Sequence, residues 1–253
     1  MLTEIIDKSY QLFAKYNPTR PLDICTDCCM TPEDEAKLAN LPVRQIPKDL
    51  LAEYNDGAAP AKTRIEEVKH FLPRYLELIG QFQFPTHSAE LSFSRLIPFE
   101  KTEWSKQELN LLADFSKSYF KHCLSLYPIP SFSDGITTIL IMFRGVDFDL
   151  KELFDLNDLL KIWEVEQTKE SALHFRDLHF HGFDQYNSTK LFSAFGDKEL
   201  ADILRTWLDT ETVKQNFADT IEQLIIEKND LEDNDINDLN LLYDIIRTRK
   251  NGL

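Results

Sequence analysis

Apolar residues recur at helical spacing along most of the chain. Ile5, Ile6, Tyr10, Leu12, Phe13 and Tyr16 form a stripe over residues 3–16, and Asn17-Pro18-Thr19-Arg20-Pro21 ends it. Thr31-Pro32-Glu33-Asp34 then supplies a capping hydroxyl, a proline at the first helical position and two acids in the first turn, where backbone donors are unpaired. Asn55-Asp56-Gly57 with Ala58-Ala59-Pro60 is the clearest internal break. Beyond it, Thr63-x-x-Glu66 has the form of a capping box, opening a helix through Val68, Phe71, Leu72, Leu76 and Ile79 that Pro73 should bend or split.

Further starts are marked at Ser105-x-x-Glu108, for a helix to about Leu126, and at Asp149-x-x-Glu152, for one through Trp163. Tyr127-Pro128-Ile129-Pro130 forces an extended connection between them. Residues 136–143 are rich in β-branched side chains and fit either a buried strand or a buried helix, of which the helix is favoured by length and flanks. The last third predicts helices over about 197–208, 211–228 and 236–249. The fold expected is therefore all-α, with roughly ten helices in a bundle or a curved stack of helical pairs and little or no β-structure. It is expected to be a single helical domain over residues 1–253, with a soft boundary near 128–133.

Composition narrows the functional classes. Only 7 glycines stand beside 11 prolines, which argues against glycine-demanding dinucleotide-binding folds, hairpin-rich barrels and propellers. The balance of 28 Lys+Arg against 43 Asp+Glu leaves a net charge of -15, which disfavours nucleic acid and anionic membrane and favours basic protein partners. The longest apolar runs fall far short of the ~20 residues a membrane span needs. The start, Met1-Leu2-Thr3-Glu4-Ile5-Ile6-Asp7-Lys8, lacks the basic and apolar regions of a signal peptide, so a cytoplasmic location is expected.

The most specific local feature is Cys25-Thr26-Asp27-Cys28-Cys29. Two thiolates at C-x-x-C spacing can form one edge of a tetrahedral zinc site, completed by Cys29 or by a distant Cys123, His122 or His70. Thiols just ahead of a helix N-terminus can also become reactive thiolates, and small apolar cysteines can simply pack beneath helices; all three readings stay open. A second group, His174, His179 and His181 among Phe175, Phe180 and Phe183, does not converge easily in any one backbone conformation and reads as an aromatic core edge with surface histidines. The Arg74–Glu77 pair beside Pro73 reads as part of a structural kink. The chain holds no nucleophile elbow, Walker loop, H-E-x-x-H or EF-hand pattern, so the expectation leans away from an enzyme. The densest acidic run holds Glu227, Asp230, Glu232, Asp233, Asp235 and Asp238 against one base, Lys228. It is the candidate surface for a cationic partner.

Cys25-x-x-Cys28-Cys29-x-x-Pro32-Glu33-Asp34, followed by Phe71-Leu72-Pro73-Arg74-Tyr75-Leu76-Glu77-Leu78, resembles a group of uncharacterised bacterial helical proteins over about residues 20–80. The acidic, helix-rich remainder has a general likeness to immunity proteins of polymorphic toxin systems. The resemblance implies a cytosolic bacterial protein that occludes a cognate toxin through acidic patches; the alternative is a zinc- or thiol-dependent protein centred on Cys25, Cys28 and Cys29.

Overall fold

The computed structural model describes residues 1–18, 20–59, 64–130, 135–145, 153–184, 190–227 and 231–248. Among them are eleven α-helices and four short 3-10 turns, with an isolated bridge between Phe183 and Leu191 as the only β-pairing. The fold is all-α, as the hydrophobic periodicity predicts. None of the helices is long and apolar enough to cross a membrane.

Two compact units emerge. The first comprises Met1–Tyr119 with Met142–Asp155, and the second Phe120–Ile141 with Leu156–Leu253. Residues 128–130 thus lie inside the second unit.

In the first unit, α1 (Leu2–Phe13) packs on α4 (Ile65–Gly80), and α2 (Pro32–Asn40) on α3 (Lys48–Asp56). α2 starts as its sequence predicts: Thr31 Oγ1 accepts the Asp34 amide at 3.1 Å, with Pro32 at the first helical position. α4 runs through Pro73 unsplit. Its N-cap is Arg64, without a side-chain cap, while Thr63 of the proposed box lies outside the described residues. α5 (Lys106–Leu124) opens on the expected box: the Ser105 amide donates to Glu108 Oε2 at 2.8 Å, and the Glu108 amide donates to Ser105 Oγ at 3.3 Å. Aromatic rings fill the core, with Tyr54 against Phe71 and Phe154 against both Phe93 and Phe143, all at centroid separations of 5.0 Å.

Residues 136–144 form α6 (Ile136–Arg144), so the run of β-branched side chains is a buried helix. Asp149-x-x-Glu152 lies outside the described residues; the helix beyond it, α7, spans Leu156–Val165. In the second unit, α10 (Glu211–Glu227) packs against α7, α8 (Lys169–His181), α9 (Lys198–Leu208) and α11 (Asp233–Thr248), while α8 also meets α11. Phe175 of α8 stacks on Phe217 of α10 at 3.9 Å, and Trp163 of α7 lies 4.9 Å from Trp207 of α9.

Candidate functional site

The cysteines sit on a turn between α1 and α2. Leu22, Ile24 and Met30 are buried on either side of them and anchor the ends. The turn closes on itself as the amides of Cys29 and Met30 both donate to Cys25 O, at 3.3 and 3.2 Å. It is then tied to the end of α3: the Cys25 amide donates to Ala58 O at 2.8 Å, and the Ala58 amide points at Cys29 Sγ at 3.4 Å.

Second-layer contacts fix those ties. Gly57 ends α3 so close to Ile24 that a Cβ there would lie 2.6 Å from Ile24 Cδ1, which makes the absence of a side chain a packing requirement. Arg95 donates to Gly57 O at 2.6 Å and holds its guanidinium over the Tyr54 ring. Buried Glu67 accepts from the Asp23 amide at 3.1 Å and from the Tyr54 hydroxyl at 2.8 Å; burial pushes its carboxyl up, and these donors work the other way. Leu22 N donates to Glu35 of α2 at 2.8 Å.

The scaffold brings three sulfurs together. Cys28 Sγ lies 3.1 Å from Cys25 Sγ and 3.2 Å from Cys29 Sγ, and all three fall within 4.8 Å of one another. Cys28 is exposed, and Cys25 and Cys29 are half-buried. Hydrogen bonding to Cys28, then to the amides of Asp27 and Cys28, pulls the Cys25 thiol below its ordinary value. Hydrogen bonding to Cys25 first and Cys29 second pushes the Cys28 thiol up.

The surroundings are acidic. An open hollow of about 370 Å³ beside Cys28 and Cys29 is lined also by Asp27, Asp34 and Glu53, with no Lys or Arg among the described residues that line it. A second hollow, of about 520 Å³, runs from Cys29 past Glu53 and Asp56 to His87 and is lined by one base, Lys48, among the described residues. There His87 Nδ1 meets Asp56 Oδ2 at 2.9 Å; burial raises the Asp56 carboxyl, but hydrogen bonds from His87, Asn55 and Thr86 outweigh it and hold it low. No local motif singles out Glu53, Asp56 or His87, because α3 and the stretch after α4 bring them in from separate parts of the chain.

The other candidates do not converge. Among the described residues the three cysteines alone form a metal-competent group. His70 Nδ1 instead lies 2.8 Å from Tyr16 O, and Cys123 is fully buried in α5. His174, His179 and His181 share α8, but His174 is not the surface histidine expected: it is buried, its Nε2 bonds Leu126 O at 2.7 Å, and burial pulls its pKa down. In the acidic run, Asp230 lies outside the described residues. Glu227, Glu232 and Asp233 are exposed, Asp238 is half-exposed, and Asp235 is committed to an ion pair with buried Arg176. Arg176 also binds Asp177 at 2.7 Å and the Tyr127 hydroxyl at 2.6 Å.

Compared with protein-family models, with curated proteins and with solved structures, the chain finds no match.

Proposed function

We propose that Cys25, Cys28 and Cys29 form a thiolate metal centre, with zinc as the ion it takes. The observation that carries this reading is the gathering of three accessible sulfurs within 4.8 Å on a turn anchored at both ends. Soft thiolates select zinc over magnesium or calcium. Three protein ligands leave one position of a tetrahedral ion for water or for a group from a partner. Elemental analysis of the purified chain tests the reading. About one equivalent of zinc is expected from the single cluster, lost in Cys28→Ser and kept in Cys123→Ser. Metal at background level, or retention in Cys28→Ser, would refute it.

A second reading is favoured by the exposure of Glu227, Glu232 and Asp233 on a chain of net charge -15. In it the protein is a non-enzymatic cytoplasmic inhibitor of a basic partner, an immunity protein that occludes a cognate bacterial toxin. Asp235 contributes less than its neighbours, because its carboxylate already neutralises Arg176. With a cognate toxin as partner, association should slow steeply with salt and with charge reversal of Glu232 and Asp233. Salt-insensitive association would sink this version.

A further inference from the structure

We propose that Cys25 and Cys28 are a reversible dithiol/disulfide pair, with Cys29 standing outside the bond. The metal reading uses the same sulfurs, but the redox pair does not depend on it.

Two sulfur pairs are close enough to compete: Cys25 with Cys28 at 3.1 Å and Cys28 with Cys29 at 3.2 Å. Backbone geometry separates them. Adjacent residues joined by a trans peptide hold their Cα atoms about 3.8 Å apart, short of the roughly 4.4–6.8 Å that a disulfide spans. A Cys28–Cys29 bond must therefore distort the peptide between them. The Cys29 amide on that peptide is engaged with Cys25 O at 3.3 Å, so the distortion would also open the turn. A Cys25–Cys28 bond instead crosses a turn that the Cys29 and Met30 amides have already closed onto Cys25 O. Residues three apart in such a turn face the same side.

Access is the second requirement. Cys28 is exposed and Cys25 half-buried, so a small disulfide can reach the pair, whereas Cys123 is fully buried. The oxidant is a low-molecular-weight disulfide, RSSR. One thiolate of the pair attacks a sulfur of RSSR, forming a mixed disulfide and expelling RS⁻. The second thiolate then attacks the protein sulfur of that mixed disulfide and expels the other RS⁻. Two protein thiols are oxidised to one S–S bond, RSSR is reduced to two RSH, and the two thiol protons go to the departing thiolates. Excess dithiol reductant reverses both steps.

The test is run on the full chain stripped of metal by a chelator, so its outcome is separate from that of the metal reading. The protein is incubated with oxidised glutathione, alkylated in denaturant, and mapped by peptide mass spectrometry. A Cys25–Cys28 linkage with Cys29 and Cys123 alkylated is expected, lost on adding reductant. Cys28→Ser should lose the linkage and accumulate a glutathione adduct, while Cys29→Ser should form the linkage as the natural sequence does. Far-UV circular dichroism checks that both variants fold. A Cys28–Cys29 linkage, loss of the bond in Cys29→Ser, or glutathione adducts that persist unresolved on the natural sequence would each overturn the proposal.

Discussion

Replacing Lys69 by Met should destabilise the unit that carries the cysteine turn. Lys69 of α4 is 3% exposed, and its ammonium donates to Glu108 Oε2 at 2.9 Å and to Glu103 O at 2.7 Å, with the Trp104 ring 4.8 Å away. Glu108 of α5 is fully buried and also accepts from the Tyr16 hydroxyl at 2.5 Å and the Ser105 amide at 2.8 Å. Removing the ammonium leaves a buried carboxylate without its main countercharge, which costs about 3–5 kcal/mol. Lys15, half-exposed and 3.4 Å from Glu108, can move in and hold the loss near the lower end. With a urea m-value of about 1–3 kcal/mol/M, a loss of about 3 kcal/mol lowers the unfolding midpoint by at least ~1 M. In a Lys69→Met/Glu108→Gln double variant the stranded charge is gone, so part of the loss should return. The pH dependence has a definite sign. Burial alone would raise the Glu108 carboxyl, but Tyr16, Lys69 and Ser105 outweigh it and bring it down to about 2 from an ordinary 4.5. A depressed folded-state pKa means that its stabilisation is complete above about pH 4.5 and fades as pH falls toward 2. That acid limb should shrink in Lys69→Met. A loss under about 1 kcal/mol, or a double variant as unstable as the sum of the singles, would refute the reasoning.

Gly57→Ala should cost about 1–3 kcal/mol, because its Cβ meets Ile24 Cδ1 at 2.6 Å and Glu53 O at 2.8 Å; urea unfolding measures the loss, and zinc titration should show weaker uptake. Zinc affinity should rise with pH, since a thiol must lose its proton to ligate the ion; a pH-independent titration would count against thiolate ligation. Asp235→Asn should destabilise the second unit by about 2 kcal/mol by leaving Arg176 undercompensated, whereas Asp233→Asn at an exposed position should stay within about 0.5 kcal/mol. Thermal unfolding separates the two. Phe217→Ala, which removes the ring stacked on Phe175, should cost about 3–5 kcal/mol in the same assay.

Local features were legible in the residues, and long-range ones were not. Thr31 and Ser105 announce their caps because capping is settled within four residues. Nothing near Glu108 reveals that its carboxylate also receives Tyr16 from the stretch after α1 and Lys69 from α4. α8 is obscure for a related reason. Ser171, His174 and Arg176 occupy buried positions on it, so polar residues interrupt the apolar stripe by which a helix is recognised. Asp235 shows the same limit from the other side. In sequence it belongs to a solvated acidic run, and only the fold pairs it with an arginine at 6% exposure.

The four cysteines divide along the same line. Cys123 is fully buried within α5, where a small apolar side chain packs well and its thiol chemistry is not needed. Packing does not account for exposed Cys28. Leu22, Ile24 and Met30 already fill the buried positions of their turn, and Cys28 gains no core contact by being exposed. Serine would satisfy the same backbone turn without the risk of oxidation that an accessible thiol carries. What serine cannot provide is a soft, ionisable ligand. Placing three of these beside Asp27, Asp34 and Glu53 creates a field that draws cations to the sulfurs. On the proposed reading, these positions use sulfur chemistry, through a metal, a disulfide, or each in turn.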